Sequence, residues 1–156
     1  LPKGEHPFII YEWLYKGVKP DNKLQVVTMN NLSNNLVLDA IYNAVDGVLD
    51  ASSINQEPLE ELHYSIWQKA KEEYVDSATQ IIGFKKESLI SSQVARQKAI
   101  EDRLSKETDS RIIRMKQSQL ASQKANFEEK MEELDKQIAR SDILTKKLVV
   151  GIIEVI

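Results

Sequence analysis

The sequence predicts an α+β protein dominated by helix, with a small β-containing base and a long antiparallel helical hairpin (a coiled-coil arm). Three observations predict this class. β-prone aliphatic and aromatic residues concentrate near the amino end, apolar residues spaced by seven mark the second half, and a run of β-branched residues closes the chain. We therefore predict a β-containing base over 1–55, a helical hairpin over 56–142 and a return strand over 143–156 that joins the base.

Bulk composition narrows the class of protein. The 156 residues, 42% of them hydrophobic, suffice for one domain or for a core with an extension. A net charge of −3 argues against a surface coated for nucleic acid. The absence of cysteine excludes disulfides, thiolate nucleophiles and the usual structural zinc sites.

The first residue is Leu1, and we interpret the sequence as a piece of a longer protein. No basic segment followed by a long apolar run is present, so no signal peptide is predicted. The apolar runs are far shorter than the roughly 20 residues that a bilayer requires. We expect a cytoplasmic protein without membrane contact.

The base begins with a β-prone segment, "FIIYEWLY", over 8–15. A second strand, "KLQVVTM", is predicted over 23–29 because the turn signal "KPDN" precedes it. The polar residues "MNNLSNN" over 29–35 predict a loop.

Residues 36–51 fit two structures. Leu38, Ile41, Val45 and Val48 would share one helical face, whereas alternation at 36, 38, 40 and 42, with the turn signal Asp46-Gly47 between apolar flanks, fits a β-hairpin. We favour the hairpin.

A helix of up to fifty residues is predicted over 57–106. Pro58 suits a first helical turn, and the carboxylates of Glu57, Glu60 and Glu61 favour the positive end of the helix dipole. Gly83 is a weak point of this predicted helix, because glycine is a poor helix former. The expected apolar stripe steps by three or four residues through Leu59, Leu62, Ile66, Ala70, Tyr74, Ala78 and Ile81, and resumes with Ile90, Val94, Gln97, Ile100 and Leu104.

A turn over 106–110 and a second helix over 110–140 follow. Ile113, Leu120, Phe127 and Leu134 are spaced by seven, as in coiled coils. The partner positions of the same heptads hold Gln117, Lys124, Met131 and Ile138, so we expect a wetter seam near the start. The preceding helix, folded back antiparallel, is the expected partner. The aliphatic residues over 148–155 then predict an inner strand of the base.

Chemical motifs are scarce. The five glycines are isolated, so no phosphate-binding loop is predicted. Glu60 and His63 form a single Glu-x-x-His, whereas a di-iron site would need this motif on two helices. We expect His63 on a solvated helix face. No catalytic, cofactor-binding or metal-ligating residue is predicted, and we do not expect this region to be an enzyme.

Charge is distributed unevenly along the chain. Residues 1–83 carry 6 basic and 12 acidic residues, residues 84–124 carry 10 and 5, and residues 125–156 carry 5 and 7. A basic segment on a long arm could contact phosphates or an acidic protein; a solvated coiled-coil surface would show the same residues. The candidate contact residues are Arg96, Lys98, Arg103, Lys106, Arg111, Arg114 and Lys116.

Three features in order carry a family resemblance: "EHPFI" over 5–9, the long hairpin with "RIIRMKQSQLASQKANFEEKMEELDKQIARSDI" over 111–143, and the closing "LVVGIIEV". Together they resemble the C-terminal accessory region of bacterial Swi/Snf-type (RapA-like) helicases. The resemblance implies a parent ATP-dependent nucleic-acid translocase, in which ATP and Mg belong to the motor domains and no cofactor belongs to this region. It implies as partners the helicase motor domains in cis, DNA or RNA, and RNA polymerase or another protein.

Two alternatives stay open. A coiled-coil interaction or scaffold protein with no motor predicts the same fold. An enzyme with a helical carboxylate or metal site would require convergent ligands that the sequence does not display.

Overall fold

The computed structural model describes residues 1–47 and 53–156 and confirms the predicted α+β class. The helices and strands are, in chain order, β1 (Gly4–Lys16), β2 (Asp21–Thr28), α1 (Asn34–Tyr42), α2 (Glu57–Lys106), α3 (Ser110–Arg140) and β3 (Asp142–Val155). The predicted bounds of the two long helices, 57–106 and 110–140, are confirmed.

Three antiparallel strands form one sheet in the order β2-β1-β3. The expectation that the closing strand would be an inner strand is wrong, because in the described part of the chain β3 pairs with β1 alone and lies at an edge. β3 spans Asp142–Val155, within one residue of the predicted return strand over 143–156 at each end. A bulge interrupts its register: Ile10 pairs with Val149 and Tyr11 with Lys147, which leaves Leu148 unpaired.

Each face of the sheet carries its own apolar cluster. On one face Ile9, Trp13 and Ile143 pack with Leu59 and Ile66 of α2. On the other, Phe8, Val26 and Ile153 pack with Val37 and Ile41 of α1. The apolar side chains of β3 that pack in these clusters, such as Ile143 and Ile153, therefore reflect two covering layers and not a second neighbouring strand, whereas Leu148 and Val149 are 42% and 49% exposed.

Residues 34–42 form a helix, so the favoured β-hairpin over 36–51 is wrong for this stretch, and its last residues, 48–51, lie outside the described part. The Ser33 Oγ accepts the Leu36 N–H at 3.3 Å and caps the helix. Val37 is fully buried against the sheet, whereas Val45, assigned to the alternative helical face, is 97% exposed. Tertiary burial of one side chain and a local cap thus outweigh the alternating pattern.

The start of α1 also covers the outer edge of β2. The Asn34 Oδ1 accepts the Val26 N–H at 3.0 Å, and its Nδ2 donates to the Leu24 carbonyl at 3.3 Å. This side chain takes the place of a neighbouring strand at that point and occupies backbone groups that could otherwise pair with another chain.

The chain divides into two compact units. The base unit comprises residues 1–74 and 142–156, and the hairpin unit comprises residues 75–141. Helix α2 belongs to both, since the chain leaves the base unit after Tyr74 and re-enters it at Asp142.

Within the hairpin unit, α2 and α3 run antiparallel across a turn at residues 107–109. The Asp109 side chain accepts the Arg111 N–H at 2.9 Å and caps α3. Lys86 forms an ion pair with Asp135 far from the turn, and Arg103 and Lys116 lie on one surface close to it, as antiparallel packing requires.

The predicted apolar seam of α3 is confirmed: Leu134 is buried and the other predicted apolar positions are half-buried. Gln117 and Lys124, in contrast, are exposed, and Lys116 and Gln123 occupy the inward positions instead. The seam is polar in this stretch, as predicted, but its polar residues are Lys116 and Gln123 and not Gln117 and Lys124.

On α2 the predicted stripe is wrong by one residue beyond Ala78. Ile82 is fully buried whereas Ile81 is 38% exposed, and Leu89 and Gln93 point inward in place of Ile90 and Val94. The physical reason is the partner helix. In a pair of packed helices the inward positions repeat every seven residues, as Ile82 and Leu89 do, and as Gln93 and Ile100 do. At Ile100 and Leu104 the inward positions coincide with the predicted stripe again.

Candidate functional site

A continuous groove runs along one side of the hairpin unit, between α2 and α3. It consists of two adjoining cavities of about 110 and 580 Å³, and Gln123 and Asn126 line both. The α2 side is formed by Leu89, Gln93, Arg96, Ile100 and Arg103, and the α3 side by Met115, Gln119, Ser122, Asn126 and Lys130. Each set steps by three or four residues, so each is one face of its helix.

Three of the seven predicted contact residues line this groove: Arg96, Arg103 and Lys116. The other four, Lys98, Lys106, Arg111 and Arg114, are exposed and do not line it. The structure therefore separates the predicted basic cluster into a groove set and a surface set.

Lys130 is the fourth cation of the groove, and sequence reasoning missed it. It lies outside the basic segment 84–124 and beside several glutamates in the sequence. Lys130 follows Asn126 by four residues, so the sequence indicated that the two share one face of the helix. Only the pairing register of α2 and α3 shows that this face adjoins Arg96.

Among the residues that the structure describes, no carboxylate lines either cavity, although acidic residues are frequent on both helices. Within residues 75–141, the ion pairs join Lys86 to Asp135, Arg111 to Asp109 and Arg140 to Glu133. None of the four groove cations takes part in an ion pair in that unit. Their charges are consequently available to an anion.

The remaining groove residues are mostly hydrogen-bonding groups. Gln93, Gln119, Gln123 and Asn126 bring amides, and Ser92, Ser118 and Ser122 bring hydroxyls. The Gln123 Oε1 is buried and has no hydrogen-bond partner among the described residues. A buried amide oxygen of this kind is costly to leave unpaired, so this part of the seam favours a polar occupant or a flipped amide that presents its N–H groups.

The histidine of the Glu-x-x-His motif in α2 is buried in the base unit. His63 is only 4% exposed, so the expectation of a solvated face is wrong. Its ring stacks on Tyr11 with centroids 3.4 Å apart, and its Nε2 accepts the Trp13 indole N–H at 2.9 Å. The Thr145 Oγ1 lies 3.2 Å from the same Nε2.

Burial, and then the positive charge of Lys147, lower the pKa of His63 to about 4. The imidazole is neutral near pH 7, with its proton on Nδ1. Glu60 is paired with Lys147, so its carboxylate is already occupied. Among the described residues, no group of three histidine, cysteine, aspartate or glutamate side chains is placed to hold a metal ion.

His6, in the "EHPFI" stretch, also has a packing role. Its Nε2 lies 2.6 Å from the Pro2 carbonyl oxygen, and its Nδ1 lies 3.3 Å from the Asn30 side-chain nitrogen. The buried ring thus joins the start of the chain to the loop after β2.

No protein-family model matches the chain, and neither a curated protein nor a solved structure matches it. Helices in the described ranges 1–47 and 53–156 lack the combined length and apolar character needed to cross a membrane.

Proposed function

We propose that this chain is a non-catalytic accessory domain of an ATP-dependent nucleic-acid translocase of the Swi/Snf type. In this proposal the helicase motor domains lie in the same polypeptide, hold ATP and Mg, and work in the cytoplasm. The accessory domain braces the motor and contacts nucleic acid or a protein partner such as RNA polymerase.

The observation that carries the proposal is the basic groove. Arg96, Arg103, Lys116 and Lys130 line one side of the hairpin unit without an ion-pair partner in residues 75–141. Four cations without an ion-pair partner in this unit complement the charge of an anionic partner.

The order of the elements also supports the proposal. A β-containing base with a His-Pro stretch, a long helical hairpin and a closing aliphatic strand follow each other as in the helicase region that the sequence resembles. The chain leaves the base unit after Tyr74 and returns to it at Asp142, so the hairpin unit is an insertion between two parts of the base unit, as in the region that the sequence resembles.

The coding sequence upstream of Leu1 tests the proposal. We expect it to encode the motor domains, recognisable by a phosphate-binding loop and a DEAH-type motif. A complete upstream reading frame without such motifs would rule out a motor in cis.

A coiled-coil scaffold without a motor is the second candidate, and exposed apolar side chains favour it. Phe84 and Val94 on α2 are 71% and 60% exposed. Scattered exposed apolar residues are ordinary, but a partner helix could cover them. Sedimentation of the chain distinguishes this candidate: a scaffold predicts self-association that Val94→Lys abolishes, whereas the translocase proposal predicts no change.

A further inference from the structure

We infer that the groove between α2 and α3 of the hairpin unit binds the sugar-phosphate backbone of single-stranded nucleic acid, with Arg96, Arg103, Lys116 and Lys130 as the phosphate contacts. The inference rests on the proposed function only for the choice of nucleic acid as the polyanion. The groove, its charge and its lining are properties of this chain alone.

The chemistry of the lining matches a phosphate backbone. Phosphate and sugar oxygens are contacted in proteins by arginine and lysine together with serine, asparagine and glutamine side chains. The groove presents four such cations, with Ser122 and Asn126 between them. The α2 side extends from Leu89 to Arg103, about 20 Å at roughly 1.5 Å per residue, which accommodates several nucleotides of an extended strand.

A helical protein partner fits this groove less well. A helix packed against two others needs a mainly apolar stripe, whereas the apolar lining residues are Leu89, Ile100, Met115 and Phe127 and polar residues outnumber them. Phe127 is the single aromatic side chain among the described residues of the lining, so base stacking contributes little. Binding should therefore follow the backbone and show little sequence preference.

Fluorescence anisotropy of a labelled single-stranded oligonucleotide titrated with the whole chain tests the inference. Four phosphate contacts predict that the logarithm of the association constant falls with the logarithm of salt concentration with a slope of about −3, at about −0.7 per phosphate. A duplex of the same sequence and a poly-glutamate peptide serve as competitors.

The chain offers a matched pair of variants. In the groove variant, Arg96, Arg103, Lys116 and Lys130 are each replaced by Gln. In the control variant, Lys98, Lys106, Arg111 and Arg114 are each replaced by Gln, which removes the same charge from surface outside the groove. Glutamine is a good helix former, and circular dichroism verifies that both variants keep their helices.

We expect the groove variant to lose most of the salt-dependent affinity, on the order of tenfold or more, while the control variant loses much less. Equal losses in the two variants would show a general charge effect and overturn the inference. The inference would also be overturned if the chain bound no oligonucleotide or preferred the duplex. It would be overturned likewise if poly-glutamate displaced the oligonucleotide from the groove as strongly as unlabelled single strand does.

The outcome is separable from the proposed function. An upstream reading frame without motor motifs removes the translocase proposal but leaves oligonucleotide binding by the groove measurable. Failure of the groove variant to lose affinity removes this inference and leaves a motor in cis untouched.

Discussion

At the residue scale, His63 links the sheet to the first turns of α2. Its Nε2 accepts the Trp13 N–H, so a second ring proton there would face a donor and break that hydrogen bond. Lys147 adds a positive charge nearby, while Tyr11 covers the ring face. The residue is therefore held neutral, and proton uptake is coupled to loss of the base unit's packing.

This coupling predicts a pH dependence. The pKa of His63 is about 4 in the folded chain against a reference value of 6.5, so the unfolded chain binds more protons between these values and stability falls as pH falls through this window. At about 1.4 kcal/mol per pKa unit the whole loss, reached only below pH 4, is of the order of 3 kcal/mol, and about 2 kcal/mol of it falls between pH 7 and pH 5. Urea unfolding at pH 7 and at pH 5 measures it, and His63→Gln, which cannot titrate, is the control. Equal pH dependence in both proteins would contradict this account.

Two glycines predict opposite effects of substitution by alanine. Gly151 of β3 pairs with Phe8 of β1, and an added Cβ would lie 2.5 Å from the Phe8 ring. Because that ring is buried against Val26 and Val37, it cannot move freely. Gly151→Ala should lower the free energy of unfolding by about 1–3 kcal/mol, measured by urea denaturation.

Gly83 lies in the interior of α2, and an added Cβ there meets no atom within 4 Å. Gly83→Ala should raise the free energy of unfolding by about 0.5–1 kcal/mol, because glycine is a poor helix former. The same denaturation experiment tests both substitutions. A loss of stability here would show that the helix needs the glycine for packing or bending.

At the scale of the elements, the seam of α3 holds the hairpin unit together. Leu134 is the most buried side chain of this helix, whereas Met115 is half exposed. Leu134→Ala should cost about 2–4 kcal/mol, and Met115→Ala should cost far less. Thermal unfolding followed by circular dichroism compares them, and similar effects of the two changes would contradict the assigned seam.

Elements with local signals were predictable from the sequence. Glu57 and Pro58 at the start of α2 and the Asp109 cap of α3 act within one helical turn, so both helices were placed correctly. Helix α1 was not, because burial of Val37 against the sheet decides it. The edge position of β3 was also missed, since apolar residues on both faces do not distinguish a second strand from two covering helices.

At the scale of the whole molecule, charge is sorted within the hairpin unit. The sequence showed an excess of positive charge over 84–124, but not which cations share a side. Which cations share a side depends on the register of α2 against α3. The one-residue error in the predicted α2 stripe was enough to hide that grouping. Arg96, Arg103 and Lys116 were thus predicted as candidates, while Lys130 and the amides beside it emerged only from the packing.

Site-specific photo-cross-linking tests the central claim, that this groove is a nucleic-acid-binding surface, most directly. The chain has no cysteine, so Ser92→Cys and Ser91→Cys each provide one attachment point for a photoreactive group. The two serines are neighbours on α2, but only Ser92 lines the groove. We predict that a bound single-stranded oligonucleotide cross-links several-fold more efficiently from position 92 than from position 91, by amounts that fall with salt. Equal yields from the two positions, or a higher yield from position 91, would contradict the account.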